Sequence, residues 1–216
     1  MRLQNAFFIT GTAYAGISTM VKRLCEKYDG ILCEENYHNG LLASLDPTAF
    51  PCLTYTRDLK DWHAFIRRSP EEYKAWFDGA ARECEILELQ ILQSLKTKGR
   101  PIFVDTNISL ATLQTITEWN HVLVMLADPE ISVRRFFERP DREKQFLYQL
   151  IMEEDDPSAA MENYRRGLTL INSQETYDAF LNAGFQVILR DENRSIEETL
   201  AMVEQAFGLS QKPQPL

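Results

Sequence analysis

The 216-residue chain has little of what marks several common protein classes. It has no long apolar run. Arg2, then Ala6-Phe7-Phe8-Ile9 and Ala13-Tyr14-Ala15, imitates a signal peptide, but the apolar stretch is short and broken by Gly11. With no segment long enough to span a bilayer, no membrane partner and a cytoplasmic location are expected. Cysteines are few, and Cys25, Cys33, Cys52 and Cys84 form no C-x-x-C pair. They read as reduced and mostly buried. His38, His63 and His121 stand at no metal-ligand spacing with them, which argues against zinc. Positive charge is in deficit: 23 Lys and Arg against 32 Asp and Glu leave a net charge of -9. A nucleic-acid groove needs a basic surface, so no nucleic-acid partner is expected, whereas a local phosphate pocket remains open. Internal repeats and low-complexity blocks are absent.

What is present suits one large domain over 1–216, or a core with inserted lobes. Five short apolar segments read as buried strands: Ala6–Thr10, Gly30–Glu34, Pro101–Asp105, Val122–Leu126 and Phe185–Leu189. Helical patterns separate them, which predicts an α/β fold with a parallel sheet covered on both faces. Ser69-Pro70-Glu71-Glu72 is a capping box, Asp128-Pro129-Glu130 a similar start, and Ser195 with Glu198 caps the last helix. Ile196, Leu200, Val203 and Phe207 give that helix an apolar stripe, as Cys84, Leu87, Ile91 and Leu95 do for a long central helix. The tail, Ser210–Leu216, reads as frayed. Two connections exceed an ordinary crossover, 35–80 and 127–184, and are expected to form substrate-facing lobes or lids.

The densest motif is the stretch after the first strand: Gly11-Thr12-Ala13-Tyr14-Ala15-Gly16-Ile17-Ser18-Thr19. Its template is Gly, four residues, Gly, Lys, Ser or Thr. Gly11, Gly16 and Ser18 match; Ile17 stands where the lysine belongs. In such a loop successive backbone N–H groups wrap phosphate oxygens, and the following helix adds its positive end. Ser18 would offer its hydroxyl to a magnesium ion. Alanine at position 13 excludes the dinucleotide pattern G-x-G-x-x-G. No neighbour on the helix replaces the lysine. Lys22 lies five residues on, roughly 140° around the axis and about 7.5 Å along it, and points away from the loop. The bland alternative is a strand-to-helix turn that holds no ligand.

Taken together, these residues resemble the P-loop kinases of small molecules: nucleoside monophosphate kinases and the shikimate and gluconate kinases. The resemblance runs through nearly the whole chain in element order and is specific at few positions. It implies a P-loop NTPase type of fold, five parallel strands in the order 2-3-1-4-5, and ATP or another NTP with Mg2+ bound at residues 11–19. The acidic residue ending Pro101-Ile102-Phe103-Val104-Asp105 would lie near the metal, with Ser18; its alternative role is to cap the next turn. Arg134, Arg135, Arg139 and Arg142 fall where the arginines of a mobile lid would close over phosphates. Arg135, Arg139 and Arg142 share a face only if their helix continues past Pro140. The alternative is a solvated helix with arginines paired to Glu138, Asp141 and Glu143. Asp191 and Asn193, in Arg190–Ser195, would sit beside the base.

The lobe over 35–80 is rich in aromatics and carries Arg57, Arg67 and Arg68. It would hold a flat or anionic acceptor, with Glu34, Arg57 and Trp62 as candidate contacts. Its alternative is a small helical core with surface arginines. The acidic run Glu153-Glu154-Asp155-Asp156 reads as a solvated loop, or as a counter-charge to the lid arginines. Three functions follow: an ATP-dependent phosphotransferase acting on a small-molecule or nucleotide acceptor, a nucleotide- or phosphate-binding pseudokinase without turnover, and a partner-binding domain with an empty loop. Ile17 favours the second; Ser18, Asp105 and the arginines favour the first. The acceptor and the oligomeric state stay open.

Overall fold

The computed structural model describes residues 3–138 and 141–209. Its centre is a five-stranded sheet in the order β2-β3-β1-β4-β5, formed by β1 (Ala6–Gly11), β2 (Ile31–Cys33), β3 (Ile102–Asp105), β4 (Val122–Leu126) and β5 (Gln186–Leu189). Every pairing is parallel. Ile9 faces Asp105 on one side and Leu123 on the other, so β1 is the middle strand. All five expected strands form. The second is shorter than expected, with Gly30 and Glu34 outside it.

Strand alternation sends successive β1 side chains to opposite faces. Phe7 and Ile9 pack with Met20, Val21 and Leu24 of α1 (Ile17–Tyr28) and with Val203 of α10 (Ile196–Ala206). Ala6 and Phe8 pack with Leu92 of α4 (Pro70–Ser94) and Leu113 of α5 (Leu110–Ile116). The sheet is therefore covered on both faces. In α10 the anticipated stripe holds at Val203 and Phe207, but Ile196 is exposed. All four cysteines are free; Cys33 and Cys84 are buried and the other two half-buried.

The expected helix starts form. Ser69 and Ser195 close reciprocal capping boxes with Glu72 and Glu198, and Asp128 accepts from the Glu130 N–H. The remaining helices are α2 (Pro51–Asp58), α3 (Trp62–Ile66), α6 (Pro129–Arg134), α7 (Arg142–Met152), α8 (Pro157–Ile171) and α9 (Gln174–Leu181).

The two long connections share a core. Phe65, Ile66 and Tyr73 from the first pack with Leu150, Ile151, Tyr164 and Leu168 from the second. Edge-to-face contacts of Phe65 with Tyr73 and Trp76 make its centre aromatic. Residues 35–80 and 127–184 thus build one helical layer, although the sequence presents them as separate inserts. No helix among the described residues is long and apolar enough to cross a membrane. The tail expected to fray, 210–216, lies outside the described residues.

Candidate functional site

The loop joining β1 to α1 opens at the carboxyl end of the central strand, where open α/β sheets place their ligands. Two glycines give it its shape. Gly11 has φ 143, and a Cβ there would lie 1.8 Å from the Met125 carbonyl oxygen. Gly16 caps α1 at φ 93, a left-handed conformation that side chains disfavour. Tyr14 also takes a positive φ, 67. As a result α1 begins without a side-chain cap. Among the described residues, no acceptor meets the N–H groups of Gly16, Ile17, Ser18 and Thr19. Ala15 instead donates its N–H to the Thr12 carbonyl.

Four ties fix this loop, two to residues just past β4 and β5 and two to α6 and the residue that ends it. The Thr12 hydroxyl accepts from the Ala127 N–H at 2.7 Å and donates to the Ala127 carbonyl at 3.1 Å. Ser132 donates its hydroxyl to the Ala13 carbonyl at 3.2 Å. The Tyr14 hydroxyl donates to the Arg135 carbonyl, and the Arg190 guanidinium to the Tyr14 carbonyl.

Ser18 and Asp105 meet at this end. The Ser18 hydroxyl donates to Asp105 Oδ2 at 2.7 Å. Asp105 is 8% exposed. Burial raises its pKa from 3.8 to about 6; the Ser18 hydrogen bond opposes this, and Glu35, Glu88 and Glu34 add to it. A carboxylate held this way gains from a cation beside it. No group of three or more His, Cys, Asp or Glu able to hold a metal occurs among the described residues. One hydroxyl and one carboxylate are nonetheless the hard oxygen donors suited to Mg2+, which keeps waters and takes further ligands from phosphates.

Behind Asp105 lies a buried network that sequence reasoning missed. Glu88 of α4 is fully buried. It accepts from the Thr106 hydroxyl at 2.8 Å, the Asn107 N–H at 3.1 Å and Asn107 Nδ2 at 2.8 Å. His38 Nδ1 is 3.5 Å from Glu88, and His38 Nε2 is 3.2 Å from Cys84 Sγ. The signal was available: Glu88 follows Cys84 by four residues and precedes Leu92 by four, so it stands on the helix's apolar face.

Beside the loop is a cavity of about 250 Å³. Met20, Ile188, Leu189 and Ile196 supply apolar walls; Gly16 and Arg190 stand at the loop side. Asp191 lines it too. Asn193 closes a turn by donating its N–H to Asp191 at 2.9 Å. A second cavity, about 240 Å³, opens at the other end of the sheet around Leu3, Asn5 and Gln93. Its lining carries no ionisable side chain, so the first is the better ligand site.

The remaining expected residues are not gathered here. Arg135 donates to Glu138 at 2.7 Å, which raises its pKa. Helix α6 ends at Arg134 and α7 begins at Arg142, so no continuous helix aligns these arginines. Arg134 and Arg142 are exposed; Arg139 and Pro140 lie outside the described residues. Glu34 pairs with Lys22 at 3.2 Å, consistent with a Lys22 side chain directed away from the loop. Arg57 forks onto Asp58 and holds the Leu42 and Leu45 carbonyls, each at 2.9 Å. Trp62 packs edge-to-face on Phe65 and Phe146. Arg68 lies 4.0 Å from the Tyr55 ring centroid.

In the acidic run Glu153, Asp155 and Asp156 are exposed, as expected of a solvated loop. Glu154 departs from that: it is half-buried and accepts from His63 at 2.7 Å and Arg67 at 2.8 Å. Asp156 caps α8. Among the described residues the run forms no ion pair with Arg134, Arg135 or Arg142.

Comparison with protein-family models and with curated proteins finds no match to this chain.

Proposed function

We propose that this chain is a P-loop phosphotransferase of the small-molecule kinase type, binding ATP or another NTP with Mg2+ and acting on a small-molecule or nucleotide acceptor. The observation that carries this reading is the 2.7 Å contact between Ser18 and Asp105. It stands at a helix end whose first N–H groups meet no acceptor among the described residues. Such an end attracts phosphate through its unpaired donors and the helix dipole. Bound Mg2+ would neutralise phosphate charge. Ser18 and Asp105 would hold it, Gly16 to Thr19 would cradle the phosphates, and the cavity along Ile188 and Leu189 would take the base.

A second reading, nucleotide binding without turnover, draws on Ile17. That side chain packs against the core cluster under α1 and brings no charge to the loop. Arg57, Arg67 and Arg135 are engaged with carboxylates, which leaves fewer cations for catalysis.

Calorimetric titration with ATP and GTP, with and without Mg2+, tests binding; a screen of acceptors for ATP consumption tests turnover. Mg2+-dependent nucleotide binding is expected. Failure of nucleotide and sulfate alike to bind or to raise Tm at millimolar concentration would reduce the loop to a turn.

A further inference from the structure

Resting on that reading, we propose that Arg190 supplies the positive charge that Ile17 does not. A triphosphate on this loop would otherwise face an end with N–H dipoles and no full charge from residues 11–19. Most nearby cations are committed elsewhere. Lys22 pairs with Glu34, and Arg135 with Glu138. Arg194 donates to the Leu189 carbonyl at 3.1 Å and lies 3.9 Å from Asp191.

Arg190 differs in two respects. Its guanidinium touches the loop itself, through Nη1 and the Tyr14 carbonyl, the only such contact by a Lys or Arg side chain among the described residues. It lines the cavity beside the loop, as Arg194 also does, together with Ala15, Gly16 and Thr19. It forms no ion pair among the described residues. The backbone aims it: the Arg190 N–H donates to the Leu126 carbonyl at 2.7 Å, extending the β4–β5 ladder by one bond. The side chain therefore departs from a rigid strand end, between the base cavity and α1.

A guanidinium has five N–H donors in a planar fork and binds phosphate oxygens in pairs. With one donor on Tyr14, the others remain for phosphate. Reaching the loop from the β5 side, Arg190 would meet the phosphates nearest the base. Lysine at position 17 would instead rise from the helix start. The two charges occupy one site from different directions, and each should partly replace the other.

The test is a mutant cycle read by calorimetry with ATP and with pyrophosphate, using wild type, Arg190→Gln, Arg190→Lys, Ile17→Lys and the double variant Ile17→Lys/Arg190→Gln. Arg190→Gln should weaken both ligands by about tenfold or more, the scale of one charged hydrogen bond. Its Tm should stay close to wild type, because the side chain is exposed. Arg190→Lys should retain part of the affinity. Ile17→Lys should raise affinity more in the Arg190→Gln background than alone, the non-additivity expected of groups sharing one ligand. If wild type binds ATP and Arg190→Gln binds it equally well, the assignment of Arg190 falls while the phosphate loop stands. Strict additivity in the cycle also overturns it. If wild type binds neither ligand at millimolar concentration, the loop reading and the role of Arg190 fall together.

Discussion

Ser18 and Asp105 come from elements 87 residues apart and meet at 2.7 Å across the top of the central strands. The contact lies where β1 and β3 pair in parallel, so strand register delivers the carboxylate to the helix start. Because the carboxyl is buried, the hydrogen bond does not fully compensate the lost hydration, and its pKa stays raised at about 6.

That shift has a definite sign. Between pH 3.8 and about 6 the folded chain holds a proton on Asp105 that the unfolded chain has released. Stability from this group is complete below the unfolded pKa and is lost as pH rises through the folded one. A shift of about two units corresponds to on the order of 2–3 kcal/mol. Asp105→Asn removes the titration. Relative to wild type, the variant should gain stability between pH 4 and pH 7, read as paired Tm profiles, and should lose any Mg2+ dependence of nucleotide binding. Parallel profiles for the two proteins would refute the desolvated carboxylate.

Glu88 organises the turn that follows Asp105. Replacing it by alanine leaves the Thr106 hydroxyl and two Asn107 donors without their buried acceptor. Thr106 is buried and loses its acceptor at about 1–3 kcal/mol, whereas Asn107 is exposed and water replaces its partner, so Glu88→Ala should destabilise by about 1–3 kcal/mol. Glu88→Gln keeps an acceptor oxygen and should cost less. Urea denaturation of both variants checks the order; equal losses would mean that packing volume, not hydrogen bonding, is what Glu88 provides.

The sequence carried the sheet well for a physical reason. Fully apolar runs such as Val122–Leu126 suit strands buried on both faces, and the helices between them restrict pairing to parallel. Caps were equally legible, because Ser69 with Glu72 is a local device. What stayed hidden depends on contacts between distant segments. Nothing local to Glu154 points to His63 and Arg67. Nothing in Arg190-Asp191-Glu192 says which charge bends over the loop, since the β4–β5 ladder decides that. The separate lobe and lid expected from the connections merge because Phe65 and Ile151 share one core, which periodicity alone does not reveal.

Glu154 should fasten this shared layer. Its pKa lies below the ordinary glutamate value, chiefly through the Arg67 hydrogen bond and also through His63. The sign is opposite to that of Asp105: this stability is present above the unfolded pKa and is lost as pH falls through the folded one. Arg67 is largely exposed, so solvent screens the pair, and Glu154→Ala should cost only about 1 kcal/mol near neutral pH. The cost should shrink in acid. Hydrogen exchange should quicken in α7 and α3 together, since they pack on one core. Acceleration in α7 alone would show that the two move independently, as a separate lid and lobe.

Ile17→Lys decides between turnover and binding alone. Ile17 is half-buried and packs against the α1 core, so the substitution gives up apolar contact. A lysine stem can cover the same surface while its ammonium reaches water, which limits the loss to about 1 kcal/mol. The ammonium would stand at the helix start, beside the N–H groups of residues 16–19 that meet no acceptor among the described residues, and add a charged hydrogen bond to phosphate. Nucleotide binding should tighten by about 1–2 kcal/mol, less than the full value of such a bond if Arg190 already supplies part of the charge. Tighter binding with ATP turnover in the presence of an acceptor would mean that Ser18, Asp105 and the surrounding residues form a competent phosphotransfer site lacking one charge. Tighter binding without turnover would assign the chain to the non-catalytic reading. Lower stability with unchanged affinity would mean that Ile17 serves packing alone and that phosphate does not bind at this helix end.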